Sequence, residues 1–142
     1  MVSFRELRTI MLGMIGLAIL SGTGQAAVTE DNFISKTTGD LVALCAAAPT
    51  DRLYTAAVNF CHGFSTGTYA VLASAQQADP NLRLFCPPQN ITRNEAVAAF
   101  VSWAGGRPDR MALPAADGIA GFLTETYLCP KATGTAATGR AK

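Results

Sequence analysis

A chain of 142 residues with 49% apolar side chains, 15% charged ones and a formal net charge of +1 is long enough for one domain and too neutral for a nucleic-acid binder. It has no basic block that would hold it to an anionic membrane. It contains four cysteines, one histidine and one tryptophan.

The first elements read as an export signal. Arg5 and Arg8 precede an apolar run from Ile10 to Leu20, and Ser-Gly-Thr-Gly-Gln-Ala follows. Basic, then apolar, then small residues is the order of a secretory signal peptide, with Gly24 and Ala26 suiting a small-x-small cleavage site. Residues 1–26 are therefore expected to be removed. The apolar run is 11 residues long, well short of the ~20 that span a bilayer. Ser21 stands where a lipoprotein signal would carry its acylated cysteine. From Ala27 onward there are nine basic and nine acidic side chains, so the mature chain is neutral.

Residues 27–38 are read as a lead segment. The stretch LVALCAAA, opened by Gly39-Asp40, predicts a first helix from about Gly39 to Ala47 that Pro49 ends. A second helix is expected from about Asp51 to Gln77, capped by Thr50. Its inward face would carry Leu53, Ala57, Phe60, Phe64, Gly67 and Val71, with Tyr54, Val58, Cys61, Ser65, Thr68 and Leu72 beside them. Arg52, Thr55, Asn59, His62, Thr66, Tyr69 and Gln76 form a polar stripe. Successive helical residues point about 100° apart, so Cys61 turns inward while its neighbour His62 turns outward. With no second histidine, a Cys-His nucleophilic pair is disfavoured. Gly63 and Gly67 make a G-x-x-x-G spacing, read as tight helix packing inside a soluble domain.

A turn-rich loop, ADPNLRLFCPPQN, runs from Ala78 to Asn90. Thr92-Arg93-Asn94-Glu95 is a capping box, and the third helix behind it turns Val97, Phe100, Val101 and Ala104 inward until Gly105-Gly106 ends it. Asn90-Ile91-Thr92 also matches a glycosylation sequon. Arg107 to Leu113 reads as a charged connection. Pro114 suits the first turn of a fourth helix whose apolar face is Ala115, Ile119, Phe122, Leu123 and Thr126. Residues 131–142 are low in complexity and read as a disordered tail. No segment alternates as a half-buried strand does. The expected fold is all-α: about four helices over 39–130, with two disulfides.

Cys45, Cys61, Cys86 and Cys129 all lie in the exported part, an even count that reads as two cross-links. Their gaps of 16, 25 and 43 residues contain no C-x-x-C, so neither a structural zinc nor any other cofactor is expected.

Taken together, Asp40-Leu41, Leu44-Cys45, Cys61-x-Gly63-Phe64-x-x-Gly67, Phe85-Cys86-x-Pro88, Ala115 and Leu128-Cys129-Pro130 resemble the Rap/Tai group of periplasmic immunity proteins. That resemblance covers about Gly39 to Pro130. It implies an all-helical periplasmic inhibitor, often a homodimer, that binds a peptidoglycan amidase delivered by type VI secretion, blocks its cleft and performs no reaction itself. Competing readings are an acid-stress chaperone of the HdeA type, a structural envelope protein and a thiol enzyme, the last disfavoured by oxidised cysteines. Among the three possible pairings, Cys45–Cys61 with Cys86–Cys129 is favoured. Cys45–Cys129 with Cys61–Cys86 stays open beside it. Arg83, Gln89, Asn90, Arg93 and Asn94 are polar, surround the central loop and have no evident duty in the core, which makes them the candidate partner-binding residues.

Overall fold

The computed structural model describes residues 27–79 and 81–130. The expected signal peptide and tail lie outside the described residues. Among the described residues there are five α-helices and one 3-10 helix, and no strand beyond an isolated bridge between Thr37 and Pro114. The helices are α1 (Thr38–Cys45), α2 (Tyr54–Ala78), α3 (Arg93–Ala104), α4 (Pro108–Met111) and α5 (Ala115–Thr126), preceded by the 3-10 turn Glu30–Ile34.

The shortest of the core helices is the central one. α1 begins at a capping box in which Thr37 Oγ1 accepts from the Asp40 amide (3.2 Å) and Asp40 Oδ2 accepts from the Thr37 amide (3.0 Å). Asn32 of the 3-10 turn donates to the other oxygen of Asp40 at 3.2 Å, which ties the lead segment to the same cap. Eight residues form a marginal helix in isolation. Here Thr38, Leu41 and Leu44 are fully buried, and α1 touches every other helix, so packing holds it. α5 crosses α1 at Gly118, where a β-carbon would collide with Thr38 Oγ1 and come within 2.9 Å of Thr38 Cβ and Cγ2.

Two apolar clusters flank α1. The larger contains Leu41, Phe85, Phe100, Ala115, Ile119, Phe122 and Leu123, with Phe64 and Leu72 of α2 against it. Phe100 and Phe122 meet edge to face at 5.7 Å, and Phe122 meets Tyr127 in the same way at 5.4 Å. The smaller contains Val28, Leu44, Ala57 and Cys61, closed over by Phe33 and Phe60 at 5.5 Å. On the far edge, Trp103 of α3 and Arg110 of α4 both donate to Glu125 Oε2 of α5 at 2.8 Å, and the guanidinium lies 4.3 Å from the indole centroid.

Both disulfides follow the favoured pairing. Cys45–Cys61 joins the end of α1 to α2, and Cys86–Cys129 joins the central loop to the segment after α5.

Several expectations need correction. Thr50 does not cap α2, which starts later, at Tyr54; the turn before it is built by Asp51, whose carboxylate accepts from the amides of Leu53 (2.7 Å) and Val28 (2.8 Å). The inward face of α2 does not extend to Gly67 and Val71. Val71 is 70% exposed, because the C-terminal half of the helix is covered on one side only. Nothing among the described residues lies within 4 Å of a β-carbon placed on Gly63 or Gly67, so neither is a packing glycine among them. Arg107 to Leu113 contains the short helix α4, Pro114 stands at the cap of α5 and not within its first turn, and Thr126 is exposed.

Candidate binding site

The central loop is an extended strap held at three points. Gln76 of α2 accepts at Oε1 from the amides of Leu84 (2.7 Å) and Phe85 (3.0 Å) and donates from Nε2 to the Phe85 carbonyl (3.1 Å), pairing three backbone groups with one side chain. Phe85 is 1% exposed and plugs the larger cluster, with Tyr69 tilted against it at 5.5 Å. Beyond it, the Cys86 amide donates to the Tyr127 carbonyl at 2.7 Å beside the Cys86–Cys129 bond. The strap is therefore fixed to both α2 and the end of α5 before it reaches Pro87 and Pro88.

From there the chain passes over a gap between α2 and α3, which meet at few points. The gap is a cavity of about 470 Å³, within the size range of small-ligand and side-chain pockets. Its floor is core: Phe100, Ile119, Phe122 and Leu123. Ser65, Thr66 and Tyr69 of α2 form one wall; Pro87, Pro88, Gln89 and Ile91 of the strap and Arg93, Ala96 and Val97 of α3 form the other, with Tyr127 closing an end. Most of the lining is apolar.

Thr92 at the rim is engaged in the helix cap. Its Oγ1 accepts from the Glu95 amide at 3.2 Å, and the Glu95 carboxylate accepts from the Thr92 hydroxyl (2.7 Å) and amide (2.8 Å). Those bonds hold the Glu95 carboxyl below its usual range. Arg93, at the first position of α3, is exposed and forms no ion pair among the described residues. Two hydroxyls in the wall, Ser65 Oγ and Tyr127 OH, are buried without a hydrogen-bond partner. Burial, and secondarily Glu95, pushes the Tyr127 phenol up, so it stays protonated and remains a donor.

Of the five candidate residues, Gln89 and Arg93 line the cavity. Asn90 and Asn94 are exposed next to them in sequence but do not line it. Arg83 stands apart at the far end of the strap, with its guanidinium 3.7 Å from Cys86 Sγ. Sequence reasoning missed Ser65, Thr66, Tyr69, Ile91 and Tyr127. Thr66 and Tyr69 were visible as an i, i+3 pair on the polar stripe of α2, but nothing in that stripe marks which solvent-facing pair overhangs a gap. Cys61 is fully buried and bonded to Cys45, so it carries no thiol for His62 to activate. Among the described residues no group of His, Cys, Asp and Glu could hold a metal ion.

A family model described as Rap1a immunity proteins matches residues 37–129, from the α1 cap to the last cysteine. The chain belongs to the Rap1a immunity protein family. It is thus an immunity protein, whose partner is a secreted toxin. The match takes in all five helices, both disulfides and every residue lining the cavity, and omits the 3-10 turn. Neither the curated proteins nor the solved structures contain a match. Family and disulfides together fit an exported protein.

Proposed function

We propose that this protein acts in the periplasm, where it binds a peptidoglycan amidase delivered by type VI secretion and blocks its catalytic cleft. The observation that carries this reading is the Rap1a match across the whole disulfide-bonded helical domain, supported by the basic and apolar order of residues 5–20, which suits export. The protein works by contact and needs no cofactor. The residues around the strap, Gln89, Asn90, Arg93, Asn94 and Arg83, are its proposed contacts. They lie on a scaffold fixed by two cross-links, and a preorganised surface loses less freedom on binding.

The test is to mix the mature protein with the amidase encoded beside its gene and to measure peptidoglycan cleavage. Stoichiometric inhibition at micromolar concentration or below is expected. Lack of any complex at that concentration would reject the amidase as partner.

A further inference from the structure

We propose, resting on the reading above, that the cavity between α2 and α3 is the anchor point for the toxin. It receives one apolar side chain from a toxin loop, and Arg93 at the rim meets a carboxylate on the same loop. Three independent features point to this occupant. The floor is formed by core side chains that are only 1–6% exposed, beneath a mostly apolar lining, which suits an inserted apolar group, as buried anchors in interface pockets do. The cation at the rim is unpaired among the described residues, while the nearby carboxylate, Glu95, is committed to the α3 cap. That leaves the exposed Arg93 guanidinium without a direct partner among the described residues, while Glu95 keeps its own negative charge beside it. Finally, Ser65 Oγ and Tyr127 OH both belong to the cavity wall and are the two buried side-chain polar atoms without partners among the described residues. Buried polar groups are almost always satisfied. Both hydroxyls are closed to solvent in the free protein, so they gain a partner only where the wall shifts as the loop seats; an oxygen-bearing or acidic neighbour beside the apolar group would then complete them.

Anilinonaphthalene sulfonate has an aromatic body and one anionic group, and so reproduces that chemistry without the toxin. Two variants address the site without touching the core. Thr66→Trp places a bulky ring at the exposed mouth, and Arg93→Glu reverses the rim charge at a helix N-terminus, where an acid is tolerated. The native protein should bind one dye molecule. Both variants should weaken the dye and, in parallel, weaken amidase binding by roughly 30-fold or more. Lys36→Glu, far along the chain on the lead segment, should change neither. If the native protein inhibits the amidase but both variants do so equally well, this proposal falls and the proposed function stands. If the native protein takes up no dye, or Thr66→Trp takes it up unchanged, the assigned chemistry of the cavity is wrong. If the native protein does not bind the amidase, this occupant is rejected along with the proposed function. The dye titration then distinguishes a wrong partner from a wrong site.

Discussion

Gly118 and Gly63 are the same residue type on neighbouring helices, and their surroundings give them opposite roles. At 118 a methyl group has nowhere to go, because Thr38 is itself fully buried against the α1–α5 crossing and its hydroxyl faces the Pro114 carbonyl at 3.4 Å. Gly118→Ala should therefore cost about 1–3 kcal/mol through overpacking, measured by urea unfolding of the oxidised protein. At 63 the added methyl meets nothing among the described residues, and the backbone is ordinary helix. Gly63→Ala should then stabilise the protein by up to about 1 kcal/mol, the helix-propensity difference, in the same measurement. If Gly63→Ala instead destabilises the free protein, a neighbour in solution covers that face. The sequence shows both glycines in helical patterns. It does not show that of the two only Gly118 has a β-branched side chain of a neighbouring helix, Thr38, against its bare Cα.

At the level of elements, the strap is the part most dependent on a single side chain. Gln76 satisfies three backbone groups of Leu84 and Phe85 that have no sheet or helix to join. Gln76→Ala should cost about 1–3 kcal/mol and should raise amide hydrogen exchange at Leu84 and Phe85 selectively, leaving the interior of α3 protected. Uniform loss of protection would mean that the strap is not a separable unit. This division also explains what could be read from the chain. The α3 cap, the glycine pair after it and the buried face of α5 were legible because each depends on local spacing: Thr92 with Glu95, Gly106 at a φ of 70°, and Ile119, Phe122 and Leu123 at helical intervals. The Thr37–Asp40 box was equally local and passed unnoticed, since Thr37 falls in the short lead before the apolar run. Gln76 looked like a solvated residue because its partners arrive from eight and nine residues further on. The cavity was not legible at all, as it arises from the separation of two helices and belongs to neither of them.

At the scale of the whole molecule, acid should act through the helix caps. The carboxyls of Asp40, Asp51, Glu95 and Asp109 are all held below their ordinary values. For Asp40, burial opposes the shift and the bonds from Thr37 and Asn32 outweigh it; for Asp51 the cause is the amides of Leu53 and Val28; for Glu95 the Thr92 bonds; for Asp109 the Arg107 bond. Each group is deprotonated more readily in the folded chain than in the unfolded one. It therefore contributes stability that is fully present above the unfolded value, about pH 4, and is lost as pH falls through the folded value. Two of the four close the boxes that start α1 and α3, the helices that carry the centre of the core and one wall of the cavity. The urea midpoint should thus receive a constant contribution from these groups above about pH 5 and fall steadily below about pH 4. Asp40→Asn with Glu95→Gln keeps an acceptor at each cap while removing its titration, so the double variant should show a shallower acid limb than the native protein. A limb of unchanged slope would place the acid sensitivity elsewhere. A protein that instead gained client-holding activity near pH 2 to 3 would favour the chaperone reading, because an immunity protein has no use for a state in which its binding scaffold has lost its caps.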